Sequence, residues 1–186
     1  MSVAENAGAQ MLAGGSWQVD PVHSVVEFRV RHMMIATVKG RFRDFDGAIV
    51  SGEVPSVAGS IRVASLETLD SRRDEHLRSP DFFDVERFPE ITFEANGIEL
   101  NGDGERFLLP GELTVKDVTR PVVLDGVFQG AGVHPDGGER IAFALRGELD
   151  RSDFGLVWNR ALETGGMLVG NTVELALDVS AVRAQR

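Results

Sequence analysis

The sequence predicts an all-β fold, an eight-stranded antiparallel β-barrel with one short helical insertion between its third and fourth strands, near a barrel mouth. Three observations predict it. About eight runs alternate apolar and polar residues with a period of two, glycine-bearing turns separate them, and only one stretch has helical character. The 186 residues suit a single barrel domain. We expect a disordered tail over residues 1–15 and one domain over residues 16–186.

The elements follow in order. Over 24–32, Ser24, Val26, Phe28, Val30 and His32 share one parity, while Glu27, Arg29 and Arg31 take the other. That pattern is a half-buried strand. The run 38–50 starts with Val38 and Phe42 on one face and resumes with Phe45, Gly47 and Ile49 on the other parity, which a β-bulge near Asp44 reconciles. Alternating runs follow at 60–66, 90–96, 106–116, 121–130, 140–150 and 172–182. Ser51-Gly52, Asn96-Gly97, Asn101-Gly102-Asp103-Gly104 and Pro135-Asp136-Gly137-Gly138 are turns of the kind that join antiparallel strands. The helical stretch is 71–79, with Asp70 or Ser71 as N-cap and no Gly, Pro or β-branched residue inside. Ser79 and Pro80 open a second short turn. Leu77, Phe82, Phe83 and Phe88 then lay this insertion over one barrel mouth.

Composition narrows the function classes. Hydrophobic residues make up 42% and charged residues 26%, enough apolar material for a sizeable core. The net charge of −10 and a pI near 4.8 repel nucleic acid and anionic bilayers at long range. With no cysteine, neither a disulfide framework nor a thiolate metal site can form. The first sixteen residues hold no Lys or Arg and only short apolar stretches, so they lack both parts of a secretory signal and a cytoplasmic setting is expected. No run approaches the roughly 18–20 apolar residues that span a bilayer, so no stable membrane insertion is expected.

An eight-stranded barrel is just wide enough to fill itself with side chains or to hold one ligand. Strands of about ten residues rise about 33 Å, and tilted by about 40° they enclose a channel about 25 Å tall, which suits a chain-like ligand. The inward set is apolar and mixes large residues (Phe28, Phe42, Phe93, Phe128, Phe143) with small ones (Ala95, Gly111, Gly126). Such mixing leaves a bore or interdigitates into a solid core, and patterning alone allows both.

Longer segments carry a resemblance. Trp17-Gln18-Val19-Asp20-Pro21-Val22-His23-Ser24 running into Phe28, Val30 and His32 looks like the first strand of YceI-like proteins. The stretch from Asp70-Ser71-Arg72-Arg73-Asp74-Glu75-His76-Leu77 through Pro80-Asp81-Phe82-Phe83 to Phe88-Pro89-Glu90-Ile91-Thr92-Phe93 is similar to that family's most distinctive segment. Gly111-Glu112-Leu113-Thr114-Val115-Lys116-Asp117-Val118-Thr119-Arg120-Pro121 resembles its strand-turn-strand signature, and Arg151-Ser152-Asp153-Phe154-Gly155 its late motif. The resemblance implies an extended, lipocalin-like barrel that binds amphiphiles with long apolar tails, such as polyisoprenoid phosphates or quinones. It also allows a homodimer.

Other residues offer chemistry with plainer explanations beside it. His32 has inward parity, fit to meet a ligand's polar head or to hydrogen-bond within the barrel's end. His23 is spaced to bond Asp20 and fix the start of its strand, His76 to pack between helix and barrel, and His134 lies in a Gly/Pro loop. Arg72, Arg73 and Arg78 suit a phosphate, but neighbouring acids make helix-surface salt bridges the simpler role. Asp153-Phe154-Gly155 reads as a turn, since no ATP loop accompanies it. Trp17 and Trp158 fit plugs at the barrel ends, and Met33-Met34-Ile35 an apolar turn that is either a ligand entrance or buried against the helix. Glu27, Glu94, Glu112, Asp125, Glu148, Glu174 and Asp178 all face outward, so the interior offers little acid/base chemistry.

The reading is a non-enzymatic protein that carries or stores a long-chain apolar amphiphile, a polyisoprenoid, isoprenoid quinone or similar lipid, inside the barrel. The expected ligand-binding residues are Phe28, Val30, His32, Phe42, Phe45, Leu66, Leu77, Phe82, Phe93, Leu113, Phe128, Phe143 and Leu175. No catalytic residue, metal ligand or cofactor is expected. The alternative is an enzyme acting on a lipid or quinone, with His32 or His76 as its working group.

Overall fold

A computed structural model describes residues 14–102, 104–135 and 137–184. Most of the tail expected over 1–15 lies outside the described residues. The Gly14 carbonyl accepts a hydrogen bond from Arg183, and Gly15 opens a strand opposite Ser51.

One twelve-stranded sheet is built from β1 (Gly15–Val19), β2 (Val25–His32), β3 (Ala36–Phe42), β4 (Phe45–Ser51), β5 (Ser56–Arg62), β6 (Leu66–Glu67), β7 (Glu90–Asn96), β8 (Glu99–Leu100), β9 (Arg106–Val115), β10 (Val118–Val133), β11 (Glu139–Asp150) and β12 (Val169–Arg183). Two pairs of these are halves of single long strands. The last residues of β12 pair with β1 (Trp17↔Arg183, Val19↔Ala181) and its first part pairs with β2 (Val25↔Asp178, His32↔Val169). In the same way β3 and β4 flank Arg43-Asp44, pairing with β2 and β1 respectively. The parity switch between Phe42 and Phe45, both buried, falls where the sequence predicts a β-bulge near Asp44, but it is made by a two-residue break at which the strand changes partner. With the two-residue β6 and β8 set aside, eight long antiparallel strands close a barrel in the order β1-β4-β5-β7-β9-β10-β11-β12, and β1–β12 pairing seals it.

Two elements differ from the sequence expectation. The strand expected over 60–66 is β5, four residues earlier, and Val63–Ser65 form a 3-10 turn before β6 pairs with β3. Ser56, Ala58, Gly59 and Ser60 have weak strand propensity. Pairing with β4 on one side and β7 on the other overrides it. Trp17 lies within β1 and not ahead of the first strand; its indole Nε1 donates to Ser51 Oγ (2.9 Å), and the Arg183 guanidinium stacks on its ring.

The helix α1 (Ser71–Arg78) is capped by Asp70, whose carboxylate accepts from the backbone N–H of Arg72 and Arg73 and is held below its usual pKa, chiefly by the Arg73 bond. The insertion is anchored internally. Buried Asp74 accepts from Thr68 N and Oγ1 (2.8 and 2.5 Å), Arg73 donates to Thr68, and Arg78 donates to the carbonyls of Ala64 and Leu66. Arg73 and Arg78 therefore hold carbonyl and hydroxyl oxygens where surface salt bridges were expected.

Candidate functional site

The barrel is solid at one end and hollow at the other. Trp17, Phe107, Phe128, Ile141 and Ala181 are almost fully buried and pack a floor, with Phe107 and Phe128 ring centroids 4.6 Å apart. Above the floor lies a cavity of about 660 Å³. It reaches the surface between α1, the end of β2 and residues 151–168, where exposed Arg31, Asp70 and Arg72 line it.

Glycines explain why large inward phenylalanines leave space. A Cβ on Gly40 would collide with the ring of Phe28, one on Gly111 with Phe93 and one on Gly126 with Phe107. Phe28 and Gly40, like Phe107 and Gly126, are direct cross-strand partners. Each ring lies flat on the neighbouring strand's bare backbone instead of crossing the bore. Elsewhere in the wall Gly47 pairs with Gly59; a Cβ on Gly47 would strike Val19, whereas one on Gly59 would meet only the Asp46 carbonyl oxygen, at 3.7 Å. The inward residues Phe28, Val30, Phe93, Leu113 and Leu175 are accordingly only half-buried, because they face the void.

Of the residues singled out in the sequence, Phe28, Val30, His32, Phe42, Phe45, Leu77, Phe82, Phe93, Leu113, Phe143 and Leu175 line the cavity. Leu66 and Phe128 do not. Leu66 sits behind Phe42 as its partner in the β3–β6 pair, and Phe128 lies in the floor against Phe107. Their inward parity marks them as apolar core, and parity carries no information on height along the barrel.

Around the mouth, His76, Phe82 and Trp158 form an aromatic cluster. The His76 ring meets Trp158 edge-on at 4.6 Å and Phe82 at 5.1 Å, and its Nε2 is 2.8 Å from Asp81 Oδ2. The cluster joins the insertion to the segment after β11, and all three residues line the cavity. That segment turns as predicted at Asp153-Phe154-Gly155: a 3-10 turn (Arg151–Phe154) is capped by Asp150 and ends at left-handed Gly155. The Ser152 hydroxyl and amide, bonded to the Asp150 carboxylate, lower its pKa.

The sequence reading missed Arg151. It is 4% exposed and donates to the carbonyls of Gly170, Leu156, Trp158 and Val169. Burial lowers its pKa, and no carboxylate pairs with it among the described residues. Asn159 adds a two-way clamp on the Val169 backbone. Together they fix the mouth's far wall. A lone arginine following a strand gives no sequence signal for a network made with carbonyls. At the start of β2, His23 Nδ1 is 2.7 Å from Asp20 Oδ2, as its spacing predicts, and Arg140 donates to the same oxygen (2.6 Å). These contacts, Arg140 first, lower the Asp20 pKa to about 2.

Residues 17–181 match the model of the YceI-like domain. The chain belongs to the YceI-like family. A UPF0312 protein of Serratia proteamaculans is 35% identical over 190 residues, covering 96% of this chain and 95% of that protein. The crystal structure of the Campylobacter jejuni YceI protein superposes with a TM-score of 0.70 at 29% identity, covering 83% of this chain and 90% of that one. A structure described as a polyisoprenoid binding domain from Saccharophagus degradans shares the YceI-like fold with a TM-score of 0.70 at 14% identity, covering 90% of this chain and 98% of that one. Among the described residues of this YceI-like chain no three His, Asp or Glu side chains converge as a metal site, and no helix is long and apolar enough to cross a membrane.

Proposed function

We propose that the barrel binds a long-chain apolar amphiphile, a polyisoprenoid, an isoprenoid quinone or a similar lipid, and carries or stores it. The observation that carries this reading is the apolar cavity of about 660 Å³ above a solid floor. At roughly 30 Å³ per non-hydrogen atom, liquid spacing, it takes about 20 atoms, or four isoprene units. Burial at about 25 cal/mol per Å² supplies affinity once association costs are met. The fold shared with a polyisoprenoid binding domain supports the same reading. Phe28, Val30, Phe42, Phe45, Phe93, Leu113, Phe143 and Leu175 would grip the tail, and His32, Leu77 and Phe82 would meet the part of the ligand near the mouth.

Native mass spectrometry of protein purified from its own host, with extraction of whatever is released, tests this. A stoichiometric long-chain species is expected. An empty protein that takes up neither added polyprenyl phosphates nor quinones overturns the proposal.

A further inference from the structure

The rim of the cavity carries an unusual set of exposed side chains. Met33, Met34, Ile35, Leu69, Val157 and Met167 are 46, 64, 80, 88, 66 and 53% exposed. Each is adjacent in sequence, or within three residues, to a residue lining the cavity: His32, Asp70, Leu156, Trp158 or Leu168. Three of them, Met33, Met34 and Met167, form one patch. The Met33 amide bonds the Leu168 carbonyl, the Met34 sulfur rests on Gly166, and Met167 bridges to Ala161 beside it. Contiguous exposed apolar surface of this kind marks an interaction site.

The backbone adds a second, independent observation. Among the described residues, five non-glycine residues have positive φ, and three of them are Met33 (53°), Met34 (62°) and Leu69 (62°). A tight hairpin needs left-handed residues at its two central positions, where Asn-Gly is the low-energy choice. Met33-Met34 at the β2–β3 tip holds long apolar side chains there against that preference, and both side chains stay exposed although the Met34 sulfur touches Gly166. Strain kept at exposed apolar residues indicates a use outside the molecule.

Charge indicates what that use is. Arg41, Arg43, Arg62, Arg87, Arg140, Arg146 and Arg183 all have carboxylate partners. Exposed Arg31, Arg72 and Arg160, around the mouth, have no ion pair among the described residues. Arg72 lies beside the Asp70 carboxylate, so in a chain of net charge −10 Arg31 and Arg160 are the cations that, among the described residues, flank the apolar rim without such a neighbour. Apolar tips that enter the acyl boundary, with arginines at the phosphate level, are the requirements of a bilayer interface.

We propose that this rim docks on a phospholipid bilayer and presents the cavity mouth to it. The docking rests on the cargo reading above only for its purpose, since the surface stands on its own geometry. Contact is shallow and reversible, because the rest of the acidic surface is repelled by anionic lipid.

The test is flotation of the full chain with vesicles of phosphatidylcholine, alone or mixed with phosphatidylglycerol. It is run beside a variant carrying Met33→Asn, Met34→Gly, Ile35→Thr and Leu69→Asn. The substitutions at 33, 34 and 69 suit left-handed positions and Thr keeps the β-branch at 35, so the variant should keep or raise its thermal midpoint. Wild type is expected to float with the vesicles and the variant to partition at least about tenfold less. Wild type that stays unbound in both mixtures, or a folded variant that floats equally, overturns the proposal. So does a wild-type dimer that the same substitutions dissociate in the absence of vesicle binding, which would assign the rim to a second copy of the chain. Uptake of a polyprenyl phosphate in solution is measured on both proteins. Wild type that floats yet takes up no isoprenoid would leave docking standing and remove the cargo reading.

Discussion

Filling the bore where Gly59 leaves room for a side chain separates ligand inside the barrel from ligand on its surface. Gly59 has inward parity between Val57 and Ile61, faces Gly47 across the β4–β5 pair, and offers open space to a side chain. Leucine adds four carbons, about 120 Å³ at liquid spacing, a little under a fifth of the cavity. A ligand filling the bore must withdraw about four carbons. At about 0.8 kcal/mol each, Gly59→Leu costs about 3 kcal/mol of binding, close to a 200-fold rise in Kd. The fold should not suffer, because leucine replaces a weak strand former and buries apolar area. The assay is calorimetric titration with a series of polyprenyl phosphates of increasing length, on wild type and variant, with thermal unfolding as the control. Wild-type affinity is expected to climb with each isoprene unit and level off near four. In the variant it should level off about one unit sooner. A stable variant that binds the longest chain as tightly as wild type refutes the placement of the tail in the bore.

Three further perturbations test the supporting structure. Gly126→Ala sets a methyl group against the Phe107 ring in the packed floor, and should destabilise the protein by roughly 1–3 kcal/mol in urea unfolding; an unchanged midpoint would show that Phe107 does not lie on that strand. Arg151→Met removes the donor shared by four carbonyls at the mouth, of which Val169 keeps the Asn159 amide, and should lower stability by about 3 kcal/mol, with faster hydrogen exchange over residues 156–170. Wild-type exchange rates in that segment would contradict the role given to Arg151. The Asp20 carboxyl is lowered from 3.8 to about 2 in the folded state, so its stabilisation is complete above pH 3.8 and is lost as pH falls through 2. It amounts to about 2 kcal/mol at most. Arg140→Gln should flatten the loss of stability across that window, and a variant with the wild-type slope would assign the acid sensitivity to other carboxylates.

The barrel was legible because its information is local. Period-two alternation marks β7, β9, β10, β11 and β12 to within a few residues, and Asp70 with a run of good helix formers marks α1. What escaped depended on tertiary partners. β5 is a strand only because β4 and β7 flank it, and β1 is too short to show a period. The same limit applies to the site. Parity identified Phe28, Phe42, Phe93 and Leu175 on the cavity wall, yet it could not separate them from Phe128 in the floor, since both sets point inward. Arg73, Arg78 and Arg151 were misjudged or missed for a related reason. Their partners are backbone oxygens, which every residue type offers equally.

Whether such a barrel is filled or hollow turns on which residue stands across from each inward aromatic. A phenylalanine opposite a β-branched residue would be pushed across the bore, and eight strands leave no room for more than a few such rings before the centre closes. Opposite glycine the ring lies down on the wall, covering backbone that would otherwise be bare. This arrangement appears at Phe28 with Gly40 in the hollow half, and at Phe107 with Gly126 at the floor. The floor is nevertheless solid, because Trp17, Phe128 and Ile141 fill the space that Phe107 vacates, whereas beside Gly59 nothing replaces the missing side chain, and only its partner Gly47 is covered, by Val19. Stability and binding are thus drawn from different heights of one barrel. Substitutions in the floor should change unfolding and leave binding alone, and those at Gly59 should do the reverse.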